Sequence, residues 1–134
     1  MRFLLLAFVM MTTIAGIPDY VKLQLKPGPV QVENDRPATF EVRLLPNKGI
    51  HVNAEPAVNI KSLTEGVRFT IKQLPRKGEY VDPSKPIQVD CSVSGFTPGL
   101  HRIEFVLHYT YCSENEGWCR MNRDSAFVEI NVKK

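Results

Sequence analysis

The sequence predicts an all-β fold, an immunoglobulin-like antiparallel β-sandwich of seven to eight strands. Three observations predict it. Apolar and polar residues alternate with period two in six separate runs, the mark of half-buried strands. The gaps between these runs are filled with Pro, Gly, Asn and Asp, which supply turns. No stretch shows apolar residues at helical spacing. Many short strands within about 118 residues favour two packed sheets over a closed barrel.

The runs follow in order. Val21, Leu23 and Leu25 alternate with Lys22, Gln24 and Lys26, and Lys26-Pro27-Gly28-Pro29 ends the run. Phe40, Val42 and Leu44 alternate with Thr39, Glu41 and Arg43, before the turn Pro46-Asn47-Lys48-Gly49. Two short strands are expected next, at residues 49–54 and around Ala57–Ile60. Val67, Phe69 and Ile71 alternate with Arg68, Thr70 and Lys72. Pro75-Arg76-Lys77-Gly78 and Asp82-Pro83-Ser84 then read as turns. Ile87, Val89, Cys91 and Val93 alternate with Gln88, Asp90 and Ser92. After Phe96-Thr97-Pro98-Gly99, a longer run puts Ile103, Phe105, Leu107, Tyr109 and Tyr111 on one face. The last run sets Ala126, Val128, Ile130 and Val132 against Glu129, Asn131 and Lys133.

Two domains of function are expected along the chain. Residues 1–16, MRFLLLAFVMMTTIAG, combine one positive charge, a short apolar run and a small-x-small site at Thr13-Ile14-Ala15. That is the pattern of a secretory signal peptide. The apolar run is shorter than the roughly 20 residues that span a bilayer. Residues 17–134 form the folded domain. Losing Arg2 takes the formal charge from +3 to +2, and no Lys/Arg cluster reads as a nucleic-acid footprint. A periplasmic or secreted location follows, in an oxidising compartment where cysteines pair.

The three cysteines carry the chemistry. Cys91 is in phase with Ile87, Val89 and Val93 and is expected in the core as a small hydrophobe. Cys112 and Cys119 flank one hairpin connection, so they are the expected bridge. Two roles fit such a pair. A structural staple closing a loop of about eight residues removes unfolded-chain entropy of roughly 2.5 kcal/mol. A working pair instead needs a reachable sulfur with some thiolate character. Arg120 and Arg123 favour thiolate, Glu114 and Glu116 oppose it, and Tyr109, Tyr111 and Trp118 offer aromatic surface to a partner. Cys112, Cys119, His51, His101, His108 and Met121 include soft metal ligands, but the spacing is not a standard zinc pattern. No cofactor is expected. No nucleophile elbow, paired-carboxylate motif or phosphate-binding glycine loop is present.

The domain resembles the family of N-terminal periplasmic domains of DsbD, the thiol:disulfide interchange protein. The resemblance is carried by Gly49-Ile50-His51-Val52-Asn53-Ala54, by Gly78-Glu79-Tyr80-Val81-Asp82-Pro83, and by the strand 87–93. Its most specific part is Tyr109-Thr110-Tyr111-Cys112 with an acidic loop, Gly117-Trp118-Cys119 and a closing strand. The resemblance implies an immunoglobulin-like sandwich and a Cys112–Cys119 pair that cycles between dithiol and disulfide. It implies electron transfer from a membrane thiol reductase to thioredoxin-like or disulfide-isomerase proteins, including those that serve cytochrome c biogenesis. It also implies an aromatic cap over the cysteines, best matched by Tyr80 in residues 78–84. Cys119 is the sulfur expected to meet partners. The chain departs from the family in having six residues between the cysteines where DsbD tends to have five. No transmembrane or thioredoxin segment follows in these 134 residues, so donor and acceptor are expected to be separate proteins. The alternative expectation is a non-catalytic secreted interaction domain with a structural disulfide.

Overall fold

A computed structural model describes residues 20–134. The expected signal peptide at 1–16 lies outside the described residues. The described residues fold into two sheets, antiparallel except for one parallel edge pair. One orders β1 (Val21–Leu25), β3 (Ala38–Pro46), β9 (Ile87–Val93) and β6 (Val67–Gln73) as β1-β3-β9-β6. The other orders β2 (Val30–Val32), β11 (Cys119–Val132), β10 (Gly99–Ser113) and β4 (Ile50–Val52), with β5 (Asn59–Ser62) also paired to β10. A small hairpin, β7 (Arg76–Lys77) and β8 (Tyr80–Val81), stands apart. The orders β1-β3-β9-β6 and β4-β10-β11 reproduce the two sheets, ABED and CFG, of an immunoglobulin-like sandwich. β2 adds to it by pairing parallel with β11.

Alternation drives the packing. Phe40, Val42 and Leu44 of β3 and Ile87, Val89, Cys91 and Val93 of β9 are all buried. They face Ile103, Phe105 and Leu107 of β10 and Val128, Ile130 and Val132 of β11. At the centre, the Phe105 ring meets Phe69 at 5.7 Å and Phe40 at 6.2 Å, centroid to centroid. Each such ring contributes roughly 1.5–3 kcal/mol by leaving water. Cys91 is 0% exposed, and burial pushes its thiol pKa up to about 11.

Among the described residues eleven strands appear where seven to eight were expected, and the extra pieces share a cause. β2, β7 and β8 are two or three residues long, too short to show a period. The final strand starts at Cys119, seven residues before the apolar alternation begins. Its first half has no apolar alternation, yet its pairing with β10 runs without a break from Gly99↔Val132 to Cys112↔Cys119. Partner strand and turn dictate strand there, not local hydrophobicity.

Candidate functional site

The long β10–β11 hairpin carries the cysteines to one end of the sandwich. The sequence placed them just beyond the strand ends. They lie instead inside the strands, as directly opposed residues. Their sulfurs are bonded, with Cα atoms 4.0 Å apart. The turn between them is built from its own polar groups. Ser113 N–H donates to the Trp118 carbonyl at 2.9 Å, and Gly117 N–H donates to the Ser113 carbonyl at 3.1 Å. Glu116 N–H reaches the Ser113 hydroxyl at 3.3 Å. Gly117 has φ +69°, a left-handed conformation that other residues adopt at a cost.

This turn is pinned to the β3–β4 connection. Glu114 N–H donates to the Gly49 carbonyl at 3.0 Å. Gly49 has φ +80°, and a Cβ there would stand 3.2 Å from the Asn115 amide nitrogen. Both facts favour glycine at 49 and let the two turns approach closely.

Strand register then decides which side chains share a face with the bridge. Residues directly opposed in an antiparallel pair point the same way. Tyr111 pairs with Arg120 and faces inward; Cys112 pairs with Cys119 and faces outward. On the other side of β10, Cys112 is opposed by His51 of β4. His51, Cys112 and Cys119 therefore form one row across the outer face. Cys119 is exposed and Cys112 half-buried. Asn53, two residues along from His51, brings its side-chain Oδ1 to 3.4 Å from Cys112 Sγ.

The β7–β8 hairpin leans over this row. Tyr80 stacks on His51 with centroids 4.4 Å apart and planes 21° from parallel. Ala54 N–H donates to the Glu79 carbonyl at 2.9 Å, and Arg76 meets Glu55 at 3.4 Å. Between hairpin and sheet lies a cleft of about 560 Å³, lined by Asn53, Glu55, Arg76, Glu79, Tyr80 and Cys112. Tyr80 thus stands beside Cys112 and leaves Cys119 open.

Tyr111 and Trp118 lie elsewhere. Both belong to an inward-facing aromatic cluster with Tyr20, in which Tyr20 and Trp118 meet edge to face at 5.1 Å. Tyr111 is 8% exposed. Arg120 lies over Trp118 at 4.4 Å and over Tyr20 at 5.8 Å, on the face away from the sulfurs. Glu116 accepts a hydrogen bond from the Trp118 indole. Hence these aromatics brace the sandwich end beneath the bridge, and Arg120 does not act on the cysteines as a neighbouring cation.

The histidines named as soft ligands are spread out. His101 sits at the far end of β10, bonded to the Thr97 carbonyl at 2.7 Å. Among the described residues, no group of three or more His, Cys, Asp or Glu is placed to hold a metal ion. Sequence reading did not set His51 and Asn53 beside Cys112; it named His51 only as a soft metal ligand and Glu114 only as a charge opposing thiolate. The first two are in the segment 49–54 that carries the family resemblance, but its pairing with β10 has no local signal.

No family model matches this chain, and no curated protein matches it. Solved structures similar to it include domains 4 and 5 of the S-layer protein SbsC, at 16% identity and a TM-score of 0.46. That match covers 84% of this chain and 51% of the other, so the chain spans about half its length. A cohesin module from a Clostridium perfringens family 33 glycoside hydrolase is similar at 14% identity and a TM-score of 0.41, covering 85% of this chain and 98% of the module. At these scores neither likeness bears on what the chain does. No helix among the described residues is long and apolar enough to cross a membrane.

Proposed function

We propose that the protein is an exported thiol–disulfide exchange module working through Cys112 and Cys119. The observation that carries this reading is the placement of the bridge. It lies on the outer face of the sandwich, at a hairpin tip, with Cys119 exposed. A visiting sulfur can approach without opening the core.

In the reduced module, the Cys119 thiolate attacks one sulfur of a partner disulfide. The partner's S–S bond breaks, its other sulfur leaves as thiolate, and a Cys119–partner mixed disulfide forms. Cys112 thiolate then attacks Cys119 Sγ and releases the second partner thiolate. Two electrons and two protons pass from module to partner. A membrane thiol reductase reverses the cycle, and thioredoxin-like or isomerase proteins receive the electrons. The location is periplasmic or secreted. The sequence resemblance to DsbD N-terminal domains supports this assignment of partners, and cytochrome c maturation is one process it would serve.

A second reading keeps the bridge as a staple in a non-catalytic interaction domain, and the half-burial of Cys112 beside Tyr80 favours it. Measuring the reduction potential separates the two. Structural bridges lie below about −300 mV, whereas exchange carriers range from about −270 to −120 mV. A Cys112→Ser variant should also trap a partner through Cys119 in a periplasmic extract. A potential under the structural limit, with no trapped partner, would sink the exchange reading.

A further inference from the structure

We infer that His51, oriented by Glu114, accepts the proton of the Cys112 thiol when that residue resolves the mixed disulfide. This rests on the exchange reading above. Resolution needs Cys112 as thiolate. Of the two cations the sequence suggested for the pair, Arg120 lies over Trp118 on the opposite face, and Arg123 lies four residues along β11, opposed by His108 and not by Cys112. His51 is the cross-strand neighbour of Cys112 instead. It opposes Cys112 directly in the β4–β10 ladder, and opposed side chains start with Cβ atoms about 4.5–5.5 Å apart.

Two contacts hold the imidazole, and one of its partners is itself anchored. Its Nε2 meets Glu114 Oε1 at 2.6 Å. The Glu114 backbone is itself fixed by its N–H bond to the Gly49 carbonyl at 3.0 Å. Tyr80 covers the ring by stacking at 4.4 Å. Glu114, His51 and Cys112 thus share the outer face, with the imidazole held by the carboxylate and its strand position opposite that of the sulfur; an oriented base beside a nucleophile is what such a step needs.

The groups around Cys112 leave its sulfur without a free cation. Asn53 Oδ1 lies 3.4 Å from Cys112 Sγ. In the bridge that sulfur has no proton. Once reduced, the same approach suits S–H donation to the amide oxygen, and an oxygen dipole disfavours thiolate. The other charges that face the cleft are Glu55, Arg76 and Glu79. Arg76 is engaged with Glu55 and Glu79 is an anion, so neither supplies a free cation to the thiol. In the step, the S–H bond of Cys112 breaks, its proton passes to His51, and the electron pair left on sulfur forms the new bond to Cys119. The partner's thiolate leaves with the electrons of the old bond and takes up a proton from His51 or water.

The experiment follows Cys112 alone, in a Cys119→Ser background, by peptide-resolved alkylation with iodoacetamide from pH 5 to pH 10. With His51 present, Cys112 should show a reactive limb near neutral pH. His51→Gln should remove that limb and slow alkylation at pH 7 on the order of tenfold. Glu114→Gln, in an exposed turn, should give a smaller slowing and serves as the second variant should His51→Gln disturb the strand. The exchange rate of the two-cysteine protein with a thioredoxin-like disulfide is measured in parallel. Unmoved Cys112 profiles in both variants, with exchange intact, overturn the inference and spare the exchange reading. A His51-dependent profile with no exchange in the wild type supports the proton transfer and overturns the exchange reading.

Discussion

Cys91 sits mid-strand in β9, opposed by Ala38 on one side and Phe69 on the other, with no exposed surface. Cys119 begins β11 at the hairpin tip, exposed, bonded to a half-buried Cys112. Both residues present the same thiol to the same compartment. What differs is the layer of protein over each sulfur. At Cys91 that layer is the packed core of both sheets, which removes water and disfavours the charged form. At Cys119 it is solvent on the outer face. Reactivity in this fold is therefore assigned by strand phase: one residue of register separates a sealed sulfur from an open one.

The largest consequence is kinetic. A thiol pushed up to about 11 is only about one part in a thousand thiolate at pH 8, against roughly a quarter for a free cysteine near 8.5. After mild reduction, Cys119 should be alkylated at least about 200-fold faster than Cys91 in the native protein. Peptide-resolved mass spectrometry reads this directly. Equal rates would mean that β9 opens on the timescale of the reaction, and the contrast between core and rim would dissolve.

Alkaline pH sharpens the same contrast. The Cys91 pKa is raised from 9.0 to about 11 on folding. A raised folded pKa contributes stability that is complete below the unfolded value and is lost as pH climbs through the folded one. Between about pH 9 and pH 11 the Cys91 share of that loss reaches about 2.5–3 kcal/mol, at 1.36 kcal/mol per unit. Tyr109 adds to it in the same direction. Its pKa is raised by burial and by its hydrogen bond to Asp124. Urea unfolding across this range should show a falling midpoint, with the slope reduced in Cys91→Ala. A flat profile from pH 8 to pH 11 would contradict the burial argument.

Removing the bridge should have a slightly smaller effect. Cys112→Ala with Cys119→Ala frees a loop of about eight residues, worth roughly 2.5 kcal/mol, against roughly 4.7 for a bridge closing 100 residues. The double variant should keep its fold with a lowered melting temperature. The reason it survives is visible in β10 and β11, whose ladder is continuous without the sulfurs. Complete unfolding of the variant at room temperature would make the bridge structural first.

The sequence showed the core better than the site. Phase alone put Phe40, Val42, Val89, Cys91, Phe105 and Val128 inside, and all are buried. It also made Cys112 and Cys119 the bonded pair. The surroundings of that pair were read from closeness in sequence, which strand phase does not follow through a turn. Trp118, beside Cys119 in sequence, looked like surface for a partner, yet it belongs with the inward face shared by Tyr111 and Tyr20. His51 is 61 residues from Cys112 in sequence, and the β4–β10 pairing alone makes them neighbours. Long-range strand pairing leaves no local trace in composition or period. The β7–β8 hairpin was legible only as turn chemistry, because Gly78 and Pro83 mark the bends while Tyr80 and Val81 are too few to alternate.

Tyr80 gives the smallest effect and the finest test of how the two sulfurs of one bridge differ. Its ring stacks on His51, its backbone bridges to Asn53, and it lines the cleft that Cys112 enters. Cys119, on the other side of the bridge, has no such cover. Tyr80→Ala removes one stacked pair, worth about 0.5–1.5 kcal/mol. If that cover restrains attack at Cys112, reduction of the bridge by dithiothreitol should accelerate about two- to tenfold. The acceleration should appear in the share of attack that falls on Cys112, read from which mixed disulfide forms first. Stability should fall by no more than about 1.5 kcal/mol, since Tyr80 is half-buried and sits on a two-residue strand. An unchanged rate, or an acceleration confined to attack on Cys119, would show that strand phase alone separates the two sulfurs and that the hairpin over Cys112 takes no part.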